Sequence, residues 1–451
     1  MAKQPKQTTA SPKLSGSESS RVSWGKNETN LPKLDLLAIQ KESYEQFLRT
    51  GIKALMEEIS PISDFTGKNW TLEIGDYTFG KGKYSSQLAM QKGVTYDIPM
   101  KSQVRLTNKQ TGETTTQEVF LGDIPSMTLG VTFVIKGIER AVINQLVRAP
   151  GVYFLGDQDP VTGKMLYMSE IRPLRGAWLE MNISRSNIIF IRIDRRRKFP
   201  ITTFLRAIGV GSNEEIEKLF ADSDLDPVYL QATLKKDTTR GSSEGAMEIY
   251  KKMRPGEPAV LETAQEYIDS LFFNPRRYNL DKVGRYKINK RLGLDISSDT
   301  LVLTKDDLVA AIKYLIRLQQ GTGEVDDIDS LSNRRVRRVG ELVGNVAFRG
   351  GLLRLEKSIK ERMSLLDPKV KVLPSQVINS RPLVSAINEF FRTSQLSSIL
   401  DQTNPLSELD TLRKLSVMGV GGISRERASF SIRDINSSQY SRICPVRSPE
   451  G

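Results

Sequence analysis

What most limits the folds open to this chain is a change in how its apolar residues are spaced. Between residues 70 and 145, the segments WTLEIGDYTF, SQVRLTNKQTG and GVTFVIKG are β-prone and are separated by Gly and Asn, which punctuate strands. Elsewhere the spacing is helical. Leu36, Ile39, Tyr44, Phe47 and Leu48 fall at roughly helical intervals, and KDDLVAAIKYLIRLQQG reads as an amphipathic helix stopped by Gly321. GAWLEMNI and NIIFIRID read as paired strands, and TTFLRAIGV, EEIEKLFAD, Ala259 to Phe273 and PLVSAINEFFRTSQLSSIL as helices. Val336, Val339, Leu342, Val343, Val346, Leu352, Leu355, Ile359 and Met363 predict one long helical segment to Leu366, interrupted or kinked at Gly350-Gly351. Both spacings, in separate blocks over 451 residues, predict a multidomain α+β protein.

Charge and chemistry narrow the function. Lys and Arg number 66 against 53 Asp and Glu, a formal net charge of +13 that favours polyanionic partners. Residues 1–23 are polar and basic and lack the apolar content that repays ordering entropy, so a disordered tail is expected there. The chain has no histidine and a single cysteine, Cys444. That excludes an internal disulfide framework, Cys/His zinc sites and Ser-His-Asp chemistry within the chain. A metal here would need oxygen ligands. No apolar run has the length of a membrane helix and no secretory signal stands at the N-terminus, which predicts a cytoplasmic protein without a membrane partner.

Cations recur on several elements. RIDRRRKFP places four consecutive cations after a strand, RRVRR spans 334–338, and Arg413 and Lys414 flank GVGG together with Arg425 and Arg427. Each run suits phosphate contacts, although a solvated strand end explains any one of them alone. GVGG lacks the GK[ST] ending of a phosphate loop and reads as a flexible loop whose backbone approaches something closely. DDID (Asp326 to Asp329) admits a Mg²⁺ site, an ion-pair network with NRRVRR, or base recognition by a carboxylate while arginines hold phosphate. NPRRY and RPLRGAW interleave cations with aromatic rings, as surfaces that stack on unpaired bases do, and as ordinary cation–π pairs do. PVRSPEG, with no following element, reads as a cut end. No acid, base or nucleophile set points to autonomous catalysis.

EFFRTSQLSSILDQTNPLSELDTLRKLSVMGVGGISRERASFSIRDINSSQYSRICPVRSPEG closely resembles the beta subunits of bacterial-type DNA-directed RNA polymerase. So do GDIPSMTLGVTFVIKGIERAVINQLVRAPGVYF, SEIRPLRGAWLEMNI, FIRIDRRRKFPITTFLRA, LFFNPRRYNLDKVGRYKIN and DDIDSLSNRRVRRVGELV, so the resemblance covers nearly everything beyond residue 24. It implies a protrusion domain at 24–147 and 336–394, interrupted by an inserted lobe at 148–335, and a fork region from 395 to 451. It further implies a nucleotidyltransferase subunit that acts with DNA, nascent RNA, beta-prime, alpha, the remainder of beta and a sigma factor. The catalytic Mg²⁺ would be held by beta-prime and no cofactor by this chain, which alone would be inactive. A catalytically inactive nucleic-acid-binding scaffold is the alternative.

The resemblance also assigns positions. Arg148, Trp178, Asp194, Asp329 and Arg334 match the family's pocket for a non-template guanine, with Asp329 as acceptor. Gly419, Gly421, Gly422, Arg425 and Arg427 fall in its fork loop. Gln395, Leu396, Ser397, Ser398, Asp401, Thr403, Ser407, Thr411, Lys414, Ser416, Met418 and Glu450 match the RNA path, which is also the rifamycin pocket. There the family usually carries Gln at 398, Asn at 403, His at 411, Arg at 414 and Leu at 418. Shorter or differently shaped polar groups at these positions imply intrinsic rifamycin resistance. The alternative is drift in a histidine-free lineage with binding kept by repacking.

Overall fold

The computed structural model describes residues 34–221, 225–367, 370–424, 426 and 434–448. The basic tail expected at 1–23 lies outside the described residues. The chain divides into two compact units: the described parts of 1–147, 336–435 and 443–451 form the first, and 148–335 with 436–442 the second.

In the first unit a four-stranded antiparallel sheet runs Ile62–Ser63, Trp70–Phe79, Asp97–Asn108, Thr114–Pro125, in chain order. Alternation places Trp70, Leu72 and Ile74, then Met100, Val104 and Leu106, on a buried face. The core they enter is completed by residues from far along the chain, among them Phe348, Leu352, Leu355, Ile359, Leu383 and Phe391. Helical residues 38–59 contain a π turn at Phe47–Gly51, and residues 339–365 contain another at Val343–Phe348. The two wide turns meet: the Phe47 and Phe348 rings pack edge-on with centroids 5.8 Å apart.

The long helix departs from expectation at both marked places. It starts at Val339, because Arg334–Arg337 is extended as a strand. It also runs through Gly350-Gly351 without a break. Its glycines serve close approach instead. A Cβ on Gly340 would stand 2.0 Å from the Ser43 carbonyl oxygen, one on Gly344 3.2 Å from the Phe47 ring, and one on Gly351 2.8 Å from Leu383. The helix expected across PLVSAINEFFRTSQLSSIL ends at Thr393. Residues Ser397–Ile399 are a strand there because Val142, Ala141 and Arg140 pair with them, and the Ser397 hydroxyl closes the helix end by donating to the Phe391 carbonyl at 2.6 Å.

The second unit carries a five-stranded antiparallel sheet ordered Lys198–Pro200, Ile189–Ile193, Leu179–Ile183, Met165–Arg172, Gly151–Gln158. Its core joins this sheet to helices that include Ile201–Ala207, Ser242–Met253, Leu261–Phe272 and Lys305–Gln319. Fully buried Arg285 donates to Asp307 at 2.6 Å and to the carbonyls of Thr300 and Val302, while Asp307 also accepts from the Thr304 backbone in a capping box. Among the described residues, no helix is long and apolar enough to cross a membrane.

Gly340→Ala forces the Ser43 contact apart and is expected to cost about 1–3 kcal/mol by overpacking. Gly350, whose Cβ would meet nothing within 4 Å, is expected to tolerate alanine or gain up to about 1 kcal/mol of helix propensity. Chemical denaturation of the two variants checks the contrast; equal effects would contradict it.

Candidate nucleic-acid interface

The five residues assigned to the guanine pocket all belong to the second unit. Arg148 donates to Glu170 at 2.6 Å, and Arg172 donates to the same carboxylate oxygen at 2.8 Å. The Arg172 guanidinium lies 4.1 Å from the centre of the Trp178 ring, and Arg195 lies 5.4 Å from it. Two hydrogen bonds tie Trp178 to Asp194: the Trp178 N–H donates to the Asp194 side chain at Oδ1 (2.8 Å), and the Asp194 N–H to the Trp178 carbonyl (3.0 Å). Arg334 donates to Asp329 Oδ1 at 2.7 Å. Among the described residues no donor reaches the other oxygen of Asp329.

Electrostatics link the parts. Burial, then neighbouring Arg172, pushes the Arg148 guanidinium below its ordinary pKa, while Glu170, Tyr153 and Asp329 oppose the shift. Asp329 is thus within electrostatic reach of Arg148. Around Glu170, two arginines share one carboxylate, leaving a local excess of positive charge. One face of the indole is already taken by Arg172, which narrows the stacking expected of Trp178.

The carboxylates of DDID are engaged separately. Asp326 accepts from the Phe154 N–H and pairs with Arg291 at 3.3 Å; Asp327 accepts from the Asn436 side chain and the Asp329 N–H; Asp329 holds Arg334. Hydrogen bonding, foremost from Asn436, holds the Asp327 carboxyl below its usual range. Among the described residues, no three acidic or cysteine side chains converge as a metal site. NPRRY does not offer its ring as a stacking platform: Tyr278 is fully buried, and Gly176 at φ +123° lies where a Cβ would strike it at 2.6 Å.

The fork-loop glycines lie in the first unit. Gly419 and Gly421 have φ of +100° and +75°, and a Cβ on Gly422 would stand 2.4 Å from the Val417 carbonyl. The close approach expected of GVGG is made to the protein itself. Gln145 donates to the carbonyls of Met418 (2.8 Å) and Val420 (3.2 Å), and Arg337 also donates to Val420 at 3.2 Å. Gln145 was not singled out by the sequence, and Arg337 only as one cation of the RRVRR run; both lie far from the loop along the chain, and nothing local marks them as its partners. Arg425, Arg427 and Glu450 lie outside the described residues.

Around a surface cleft of about 800 Å³, Gln395, Met418, Gly419 and Gly422 come together. The other RNA-path positions are placed differently. Leu396 and Ser397 are core residues, and the Ser398 hydroxyl is buried without a partner among the described residues. Asp401 accepts from the Thr403 N–H and hydroxyl in an exposed turn. Asn404 caps helix Pro405–Arg413 by accepting from the Ser407 N–H, and buried Thr411 donates its hydroxyl to the Ser407 carbonyl at 2.9 Å. Lys414 lies 3.9 Å from Asp410, and Ser416 accepts from the Met418 N–H.

Residues 148–337 match the family model described as RNA polymerase Rpb2, domain 2, and residues 398–451 match RNA polymerase Rpb2, domain 3. DNA-directed RNA polymerase subunit beta of Chloroflexus aggregans is 45% identical over 449 residues, covering 92% of this chain and 36% of that protein. The chain belongs to the family of RNA polymerase beta subunits, and it spans a little over a third of the length of that relative.

Glu170→Gln leaves Arg148 and Arg172 sharing a neutral amide. A stability loss of about 1–3 kcal/mol is expected, and Arg148→Gln in the same chain should add less than its separate cost, because both substitutions break one ion pair. Strict additivity in a denaturation double-mutant cycle would separate the two residues.

Proposed function

We propose that this chain acts as part of the beta subunit of a DNA-directed RNA polymerase, lining the DNA cleft and the RNA path while the assembled enzyme extends RNA from nucleoside triphosphates. Its share of the reaction is grip and strand recognition. The catalytic Mg²⁺ would be held by the beta-prime partner and would stabilise the attacking and leaving oxygens. The further partners of this reading are alpha subunits, the remaining beta residues and a sigma factor.

The observation that carries the reading is the arrangement around Asp329. One carboxylate oxygen is fixed by Arg334 and the other meets no donor among the described residues, within the field of Arg148. A carboxylate held this way can accept from the N–H groups on the Watson–Crick edge of guanine, a pattern that adenine, cytosine and thymine do not offer. The arginines around Glu170 supply charge for the adjoining phosphates.

Asp329→Ala, placed in an enzyme assembled from this chain with the remaining beta, beta-prime and alpha polypeptides, should abolish discrimination for guanine at one non-template position. The expected loss is about 10-fold or more in relative affinity, since a good bidentate base contact is worth about 1–3 kcal/mol. Unchanged discrimination rejects the assignment.

The same reading predicts weak inhibition by rifamycins. The Thr411 hydroxyl is committed to the Ser407 carbonyl, the Ser398 hydroxyl is buried, and Lys414 faces Asp410. Positions 398 and 411 therefore lack an outward polar group for an inhibitor to meet, and Lys414, whose side chain is part-exposed, lacks the planar fork of an arginine. RNA synthesis by the assembled enzyme should persist at rifamycin concentrations well above nanomolar; nanomolar inhibition would contradict this.

A further inference from the structure

The run RIDRRRKFP is only partly used by the guanine pocket: Arg195 pairs with Glu180 at 2.9 Å and lies over Trp178. The three cations that follow lead elsewhere. Asp194 and Arg195 have φ of +48° and +58°, and the Arg196 N–H returns to the Ile193 carbonyl at 3.0 Å, so the chain reverses in a tight turn between strands Ile189–Ile193 and Lys198–Pro200. Arg196, Arg197 and Lys198 leave this turn on the rim of a concavity of about 600 Å³. The opposite rim comes from far along the chain: Lys251, Lys252 and Pro255, at and just beyond the end of helix Ser242–Met253.

Two features bring these cations together. Lys198–Pro200 leads directly into helix Ile201–Ala207, and that helix packs closely on Ser242–Met253 where Gly245 has no side chain. A Cβ on Gly245 would stand 2.8 Å from the Thr203 carbonyl. Lys251 and Lys252 also sit in the last helical turn, where the helix dipole favours cations. Lys252 spans the Phe199 ring at 5.4 Å and pairs with Glu248 at 2.7 Å.

The neighbouring acids are already engaged. Glu180 holds Arg195, Glu248 holds Lys252, and Glu257 holds Arg254 and Tyr250. Among the described residues, no carboxylate pairs with Arg196, Arg197, Lys198 or Lys251, all of which are exposed. Four unneutralised cations converging on a concave surface repel one another, and an anion entering the concavity relieves that repulsion.

We propose that this cup binds the phosphodiester backbone of a nucleic-acid strand, independently of its sequence, next to Trp178 and Asp194. The proposal rests on the reading of the chain as a nucleic-acid-binding polymerase component, but not on the guanine assignment. Arg195 is shared ground: it touches the Trp178 ring, and its neighbour Arg196 opens the cup. A strand whose base sits at Trp178 therefore has adjoining phosphates within reach of the turn. The residues that line the cup are five cations and a proline, with no carboxylate or amide side chain among them, so it adds affinity and salt dependence without choosing a base.

The test uses the full 451-residue chain and short fluorescent single-stranded oligonucleotides, one containing a single guanine and one lacking it, titrated by anisotropy across a range of salt. Replacing Arg196, Arg197 and Lys251 together by glutamine should flatten the slope of log affinity against log salt by about 2, because each lost phosphate contact on a single strand contributes about 0.7. The flattening should be equal for both oligonucleotides. A control that removes the same charge from the first unit, Lys357→Gln with Lys360→Gln and Lys371→Gln, should change the slope by much less. An unchanged slope in the cup variant overturns the proposal, as does an equal change in the control, which would mark diffuse charge. If the cup variant loses only competition by inorganic tripolyphosphate and keeps the DNA slope, the cup is a small-anion site and the proposal fails. Asp329→Ala separates the two readings: losing guanine preference with an unchanged slope keeps both, whereas no effect of Asp329→Ala removes the pocket assignment and leaves the cup standing.

Discussion

Gly340 pressed against Ser43 is the contact on which the first unit depends. Its amide donates to the Ser43 hydroxyl at 3.0 Å, and no other residue type fits between the two helices there. The contact joins two stretches of chain separated by the whole second unit and aligns the π turns so that Phe47 meets Phe348. The buried sheet face of Trp70–Phe79 and Asp97–Asn108 then receives Phe348, Leu352 and Leu355. Sequence neighbours such as Ile52, Met56 and Ile59 cover only part of these apolar surfaces, so the interior is completed only when distant stretches of backbone come together.

The second unit uses charge in two opposed ways. Arg285 and Asp307 are sealed in the core, where all three guanidinium nitrogens donate, to the Asp307 carboxylate and the carbonyls of Thr300 and Val302, while a capping box with Thr304 holds Asp307. On the surface, cations are held in geometries that stay short of neutrality: two arginines to Glu170, and exposed Arg196, Arg197, Lys198 and Lys251, which pair with no carboxylate among the described residues. Sealed pairs give rigidity, and the unbalanced surface gives attraction for polyanions. The same residue type performs both tasks, and burial decides which.

The sequence was most readable where structure is local. WTLEIGDYTF is the strand Trp70–Phe79, NIIFIRID contains Ile189–Ile193, and the helix of KDDLVAAIKYLIRLQQG begins at a Thr304 cap and ends before Gly321. α+β character followed from these segments alone. Glycine was misread where its role is set by a partner in space. Gly350-Gly351 looked like a break, yet the helix continues because Gly351 accommodates Leu383 and Gly350 faces open space. Ser397–Ile399 looked helical because the strand that claims it lies at Ile138–Val142. Asp329 and Arg334 were recognisable as a pair through their proximity in sequence. Glu170 was not, since one acid in a strand resembles ordinary alternation, and Lys251 lines the same concavity as Arg196 across a helix packing that Gly245 keeps close.

The divided core also has a history in time. On a ribosome the first sheet emerges well before its covering helix, with the roughly 190 residues of the second unit made in between. At about 5–20 residues per second that interval is roughly 10–40 s, long compared with hairpin formation and hydrophobic collapse. Throughout it, the apolar face of Trp70, Leu72, Met100 and Val104 lacks the part of its cover that comes from Phe348, Leu352, Leu355 and Phe391, so nascent chains should depend on chaperones during this interval, and the inserted unit, folding first, would set the delay.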